Sequence, residues 1–378
     1  MATRYQIILR DQAGAQVAMF TTWRSLLYNK KLNDVGEYQL EIDGDLAVIS
    51  QFILDGQVEI RRRDQDASPA IDWYTDFAGF HRTEARRHDE RGASIYTSSG
   101  VDYKHLLARR AILFRDTTAG AGKSGPGETV MKEYVDENAG PGAVSPPRAF
   151  AGVFPSFTIQ PDGAAGANWE GNKPYRPLLA TLREIADATG VDFDVVATAL
   201  ATFQFQAQAE PLGLDRTTTG LNPVTGLNAA GNAPLVFSLD YDNMAVPSYA
   251  LHRIQEITAA IVLGQGGEGN RVLVERTSGD IADSPWNRTE AVKNANQDED
   301  TAALNARGDA FLQELQARES FTFAALQIPA TLYGRDYFLG DRVTARYQTI
   351  ERNFQITGVT IRVQEGVEEI AIEVSVVK

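Results

Sequence analysis

Apolar and polar residues alternate with a period of two along most of the first hundred positions, which predicts strands with one buried and one wet face. Tyr5, Ile7 and Leu9 open the pattern, Asp11-Gln-Ala-Gly14 supplies a turn, and Val17-Ala-Met-Phe20 completes a hairpin. After Trp23 the run SLLYNKKLNDVGEYQLEID turns at Asn33-Asp-Val-Gly36 and resumes alternation at Tyr38, Leu40 and Ile42. Gln57-Val-Glu-Ile-Arg61 alternates again, and Trp73 to Phe80 is its expected partner. The mixed-sign stretch from Arg82 to Arg91 ends at Gly92 and reads as a solvated hairpin tip.

The period changes after position 100. Asp102 is a candidate cap for a short amphipathic helix holding Tyr103, Leu106, Leu107 and Arg110, and Val130 to Asn138 predicts a second helix. Gly- and Pro-rich stretches at 119–127 and 139–147 read as loops. Pro177 starts the clearest helix, with Leu178, Leu179, Leu182, Ile185 and Ala186 on one stripe and Gly190 as its stop; Val191 to Val196 then alternates as a strand. Residues 215–234 are a long polar loop rich in Gly and Asn, a length that in a compact domain marks function, an interface or mobility.

Strands return in the last third: Ile257 to Leu263, Arg271 to Arg276, Phe321 to Phe323, Ala330 to Leu332, Arg342 to Tyr347, Gln355 to Val363 and Ile370 to Val377. Between them a helix is expected at 298–318, carrying Leu304, Phe311, Leu312 and Leu315. The expected fold class is mainly β with an inserted α+β region, divided as 1–100, 101–250 and 251–378.

Composition narrows the chemistry. The 378 residues contain no Cys and four His (His81, His88, His105, His252), which removes disulfides, thiolate metal sites and cysteine nucleophiles. With 36 Lys+Arg against 50 Asp+Glu, the net charge of −14 disfavours a dedicated nucleic-acid binder. The N-terminus lacks an apolar signal core, and the run Ile257 to Leu263 is far below the ~20 residues that cross a bilayer as a helix, so neither secretion nor a membrane span is expected.

Two glycine motifs fail on the element that must follow them. Gly264-Gln-Gly266-Gly-Glu-Gly269 matches a dinucleotide fingerprint, but Arg271-Val-Leu-Val-Glu275 continues as a strand, not as the helix that must meet a pyrophosphate. Gly122-Lys123-Ser124 ends like a phosphate loop, yet Thr117 replaces its first glycine, and Gly125-Pro126-Gly127 is expected to block the helix; the segment reads as a flexible linker. Asp240 and Asp242 lack a calcium-loop spacing, and Asp298, Glu299 and Asp300 read as first-turn helix charge. No catalytic, cofactor-binding or metal-ligating residue is assigned, and no cofactor is expected.

Taken in order, Ser25 to Asp43 with Gly56 to Arg61 and Asp76 to Arg82, then Ser99 to Ile112, then Ala259 to Glu275 leading to Tyr333 to Tyr347, resemble the ReqiPepy-type tail proteins of long-tailed phages. These are similar to baseplate-hub or tail-tip proteins. The resemblance implies a non-enzymatic homotrimer whose subunits each carry two tube-like β-barrel domains, so that three chains offer six barrels to a six-fold tail. It implies a place in the virion at the distal end of the tail. The implied partners are a distal tail ring or tube protein, a tape-measure protein and tip or fibre proteins, with DNA passing through the lumen unbound. Lytic tips carry that activity on an appended domain, and none is expected after the last strand. The acid excess would then favour release of DNA, since a lumen rich in Lys and Arg would retain it. The rival readings are a tail-associated glycan hydrolase working through a carboxylate pair, a receptor-binding module with clustered exposed aromatics, and a distal-ring or tube protein of the same tail. Trp73, Trp169 and Trp286 are dispersed in the sequence, which disfavours the receptor-binding reading.

Overall fold

The computed structural model describes residues 4–113, 121–144, 146–150, 156–208, 212–295 and 300–376. The chain is mainly β, and it divides into two compact units, residues 1–246 with 323–378, and residues 247–322.

Alternation in the first hundred residues becomes seven strands: β1 (Arg4–Arg10), β2 (Gln16–Phe20), β3 (Ser25–Lys31), β4 (Glu37–Asp43), β5 (Gln57–Asp64), β6 (Ile71–His88) and β7 (Ser94–Asp102). The expected hairpin β1–β2 and the pairing of β5 with β6 are both present, and the charged stretch from Arg82 lies on the exposed end of the β6–β7 hairpin.

The inserted α+β region follows: α1 (His105–Ala108), β8 (Gly122–Pro126), α2 (Gly127–Asn138), β9 (Ser156–Ile159), β10 (Asn168–Asn172), α3 (Leu178–Thr189), β11 (Asp192–Ala199) and β12 (Thr202–Gln208). α3 runs between Pro177 and a left-handed Gly190, as the sequence predicts, and buries Leu178, Leu182 and Ile185 completely. They pack in one core with Met131 and Tyr134 of α2 and Phe193 and Phe205 of β11 and β12, which also takes in Phe80 and Tyr103.

Three expectations are corrected here. The first helix is a single turn, and Asp102 stands before it at the end of β7, accepting the Lys104 N–H (3.0 Å). Residues 122–126 are a strand paired with β10, and α2 starts at Gly127 directly after Pro126. The Gly-Pro-Gly sequence therefore opens a helix: Pro126 is extended, as the residue before a first turn can be, and a Cβ on Gly127 would come 2.4 Å from Thr189 Oγ1 of α3. Beyond the expected loop 139–147, β9, which the sequence pattern does not predict, pairs parallel to β12 and buries Phe157. The expected strand Ala330 to Leu332 is a turn held by a bridge between Ile328 and Thr331.

Next come β13 (Asp215–Arg216), β14 (Val236–Ser238) and β15 (Met244–His252). The unit 247–322 holds β16 (Ala259–Leu263), β17 (Leu273–Thr277), β18 (Glu290–Asn294) and α4 (Thr301–Glu314) around a small core of Val262, Ala295 and Leu304. α4 is shorter than the expected 298–318: Asp300 caps it by accepting the Ala302 N–H (3.0 Å), while Asp298 and Glu299 lie outside the described residues.

After β19 (Arg318–Ala325), the strands β20 (Arg342–Tyr347), β21 (Ile350–Gln364) and β22 (Val367–Val376) rejoin the first sheet. Its order is β19-β22-β21-β3-β4-β7-β6-β5-β1-β2, so strands far apart in sequence, β21 and β3, are neighbours along seven residue pairs from Gly358↔Lys31 to Gln364↔Ser25.

Candidate functional site

The register across β22, β21, β3, β4 and β7 gives this band two chemically distinct faces. Ile370, Ile361, Tyr28 and Tyr38 follow one another across four strands, as do Val363, Leu26, Leu40 and Ser98, and all are buried. On the opposite face the rows are Glu369, Arg362, Leu27, Gln39, Ser99 and Thr83, and Ala371, Thr360 and Asn29. A shallow depression of about 330 Å³ on this face is lined by Asn29, Glu37, Gln39, Thr83 and Ser99 among others. Acidic Glu37, Glu41, Asp43, Glu369 and Glu373 stand on it against basic Lys31, Arg82, Arg87 and Arg362, with Arg87 paired to Glu41 (3.0 Å). The face is thus wet, rich in small uncharged side chains, and weakly acidic.

Behind the band lies a buried polar cluster that joins the two ends of the chain. Arg62 is 1% exposed. Its Nε and Nη2 donate to Glu368 Oε1 (3.0 Å) and Oε2 (3.1 Å), and its Nη1 donates to the Tyr333 carbonyl (2.8 Å). Tyr5 also donates to Glu368. Beside them Asp76, fully buried, accepts from Tyr28 (2.6 Å), Tyr333 (2.7 Å) and Lys30 (2.9 Å). Burial pushes the Asp76 carboxyl up, but the Lys30 charge and these hydrogen bonds outweigh it and hold the group below the usual carboxylate range. Burial drives the Tyr5, Tyr28 and Tyr333 phenols well above theirs, with the neighbouring carboxylates adding to it, so all three stay protonated and serve as donors. Every strong charge in the cluster is answered by a partner. Chemically it is a clamp between β5–β6 and the 333–368 segment, with no unsatisfied base or nucleophile.

Sequence reasoning missed this cluster, although period two carries a signal for part of it. In β5, Val58, Ile60 and Arg62 share the inward face, so alternation alone assigns Arg62 to the core. Asp76 gives no such signal, because register shifts between β5 and β6 break the alternation around it.

A cleft of about 1130 Å³ borders the cluster and is lined by Tyr5, Trp23, Trp73, Arg24, Arg63 and Glu365 among others. Trp23 and Trp73, distant in sequence, both line it; the Arg63 guanidinium lies 4.6 Å from the Trp73 ring centre. The other tryptophans differ: Trp169 is buried in the inserted region, and Trp286 is 91% exposed in the unit 247–322.

The glycine motifs resolve on geometry. Gly264 to Gly269 connects β16 to β17, which pair antiparallel from Leu263↔Leu273 to Ala259↔Thr277, so a strand follows the motif. Lys123 lies within β8, and its Nζ is paired with Glu137 (2.6 Å) and Glu133 (3.3 Å) of α2. Among the described residues, two carboxyls are raised by burial, Asp102 and Asp341, and each is enclosed by structural partners. Asp102 accepts from Gly36 N–H (2.8 Å) and pairs with Lys104 (2.8 Å); Asp341 accepts from Leu214 (2.7 Å) and Phe338 (3.0 Å) N–H groups. Among the described residues, no group of three or more His, Asp or Glu side chains is placed to hold a metal ion, and no helix is long and apolar enough to cross a membrane.

No curated protein sequence matches the chain. Its fold is that of several solved tail proteins. The 43 kDa tail protein of prophage MuSo2 from Shewanella oneidensis superposes with a TM-score of 0.60 at 12% identity, over 98% of both chains. A tail protein from Neisseria meningitidis MC58 gives 0.57 at 11% identity, over 98% of this chain and 96% of that one. Prophage tail protein gp18 from Listeria monocytogenes EGD-e gives 0.54 at 11% identity, over 97% and 94%. The family of Siphovirus ReqiPepy6 Gp37-like proteins matches residues 6–376, nearly the whole length, and the chain belongs to that family.

Proposed function

We propose that this protein is a non-enzymatic structural component of a phage tail, a trimeric hub at its distal end. In this reading the strands before residue 100 and those after residue 323 supply two tube-like barrels per subunit, with 101–250 inserted between them, and three subunits match six barrels to the six-fold tail. The observation that carries it is the β21–β3 junction, which welds the two strand sets into one sheet with a continuous polar face. That face is suited to lining a channel: short hydroxyl and amide side chains give DNA no apolar grip, and the acidic excess repels phosphate. The buried Arg62–Glu368 clamp supports the same reading, because it stiffens the union of the two strand sets without offering chemistry. Membership of a siphovirus family and the fold of prophage tail proteins fit this place in the virion. A distal ring or tube protein, a tape-measure protein and tip or fibre proteins are the partners such a hub would meet. Imaging of assembled particles tests it: a three-fold ring at the tail end, with Asn29, Gln39, Ser99 and Arg362 toward the channel, is expected. A location elsewhere in the particle, or these residues on the outer surface, would reject the reading.

A further inference from the structure

Two of the four tryptophans, Trp23 and Trp73, line the cleft of about 1130 Å³, which lies wholly within the unit formed by residues 1–246 and 323–378. Both rings are half-buried and held in place: Tyr5 meets Trp23 edge-on with ring centres 6.2 Å apart, and the Arg63 guanidinium stands 4.6 Å from the Trp73 ring centre. Indoles fixed in this way offer a large amphipathic surface at little cost in conformational freedom. The rest of the lining is polar and largely unspent. Thr21, Thr22, Gln364 and Glu365 are exposed, and among the described residues their side chains have no hydrogen-bond partner; Arg63 Nε is buried and has none either.

We propose that this cleft is a binding site for a neutral oligosaccharide. Its composition selects the ligand class. Four arginines and four carboxylates line it, so it carries no net charge within a protein at −14. A polyanion would meet the carboxylates there, and a polycation the arginines. An apolar ligand would leave Arg63 Nε and the free hydroxyl and amide groups without partners. An extended peptide binds by pairing with an edge strand, whereas β1, β3, β5, β6, β21 and β22, which supply most of the lining, each lie between two neighbours in the sheet. A saccharide answers each feature. Its hydroxyls both donate and accept, as interleaved Arg, Gln, Thr and Glu side chains require, and the C–H face of its ring stacks on an indole. The volume exceeds the ~300–1,000 Å³ typical of sites for drug-sized ligands, which suits several sugar units in place of one.

The test is isothermal titration calorimetry of the full chain against β-1,4-linked hexasaccharides of N-acetylglucosamine, glucose, mannose and galactose, with hexagalacturonate and an uncharged decapeptide of Gly, Ser and Asn as rivals. At least one neutral hexasaccharide is expected to bind with a Kd below about 1 mM. Trp23→Ala is expected to weaken that binding at least about tenfold. Gln364→Ala, at an exposed position and with the wild-type melting temperature, is expected to weaken it about threefold, which keeps the test decisive if Trp23→Ala loses the fold. Wild type that binds none of the neutral probes overturns the inference. So does binding that neither variant weakens, which would place the sugar elsewhere, and so does tighter binding of hexagalacturonate or of the decapeptide. None of these results bears on the trimeric reading, which does not depend on the cleft.

Discussion

Arg62 occupies a core position that its strand would ordinarily fill with Val or Ile, and its charge is tolerable there because Glu368 answers it through two hydrogen bonds. Removing one partner of such a pair strands the other, whereas removing both together is mild. Glu368→Leu is therefore expected to destabilise the fold by about 3 kcal/mol, and the double replacement Arg62→Met, Glu368→Leu by clearly less than the sum of the two single changes; denaturant melts of wild type, the two single variants and the double variant measure this. An additive cycle would mean that the clamp couples nothing. Asp76 gives the second residue-scale prediction. Its folded-state value is depressed, so its contribution is fully present above the unfolded carboxylate value of about 3.9 and disappears as pH falls through the lower folded-state one. Melting temperature should drop as pH is lowered below about 4, and Asp76→Asn, less stable at neutral pH, should show a flatter profile over that range. Parallel profiles for the two proteins would contradict the assignment.

At the scale of elements, the approach of β6 to β7 is a tight constraint. A Cβ on Gly100 would lie 1.9 Å from the Phe80 carbonyl oxygen and 2.6 Å from the Tyr38 ring, neither of which can move without breaking the band. Gly100→Ala is expected to cost about 2–3 kcal/mol, read as a shift in the denaturant midpoint, and an unchanged midpoint would show that the strands have slack there. The strands of the first hundred residues were legible because one of their faces is wet, and period two shows wherever that is true. Elements governed by tertiary contact were not: α2 begins at residue 127, which has to be Gly because Thr189 of α3 leaves no room for a side chain, a contact invisible in a Gly-Pro-Gly string. β9 is short, and its parallel partner β12 lies more than forty residues away, so its pattern was lost among the Gly- and Pro-rich residues around it. The candidate site was legible only in part. Alternation points Arg62 inward, but nothing local links it to Glu368, 306 positions later.

For the whole molecule, the consequence of the topology is that the chain's two ends are one sheet. β21 and β22 complete a band begun by β3 and β4, so its polar face cannot be assembled from either half alone. The net charge of −14 has a place in this picture on that face, where acids outnumber bases. The measurement that bears most directly on the account is the symmetry of the purified protein by single-particle imaging. The account predicts a three-fold ring whose channel is lined by the polar face of β22, β21, β3, β4 and β7; a monomer, a six-fold ring, or a ring with that face turned outward would contradict it.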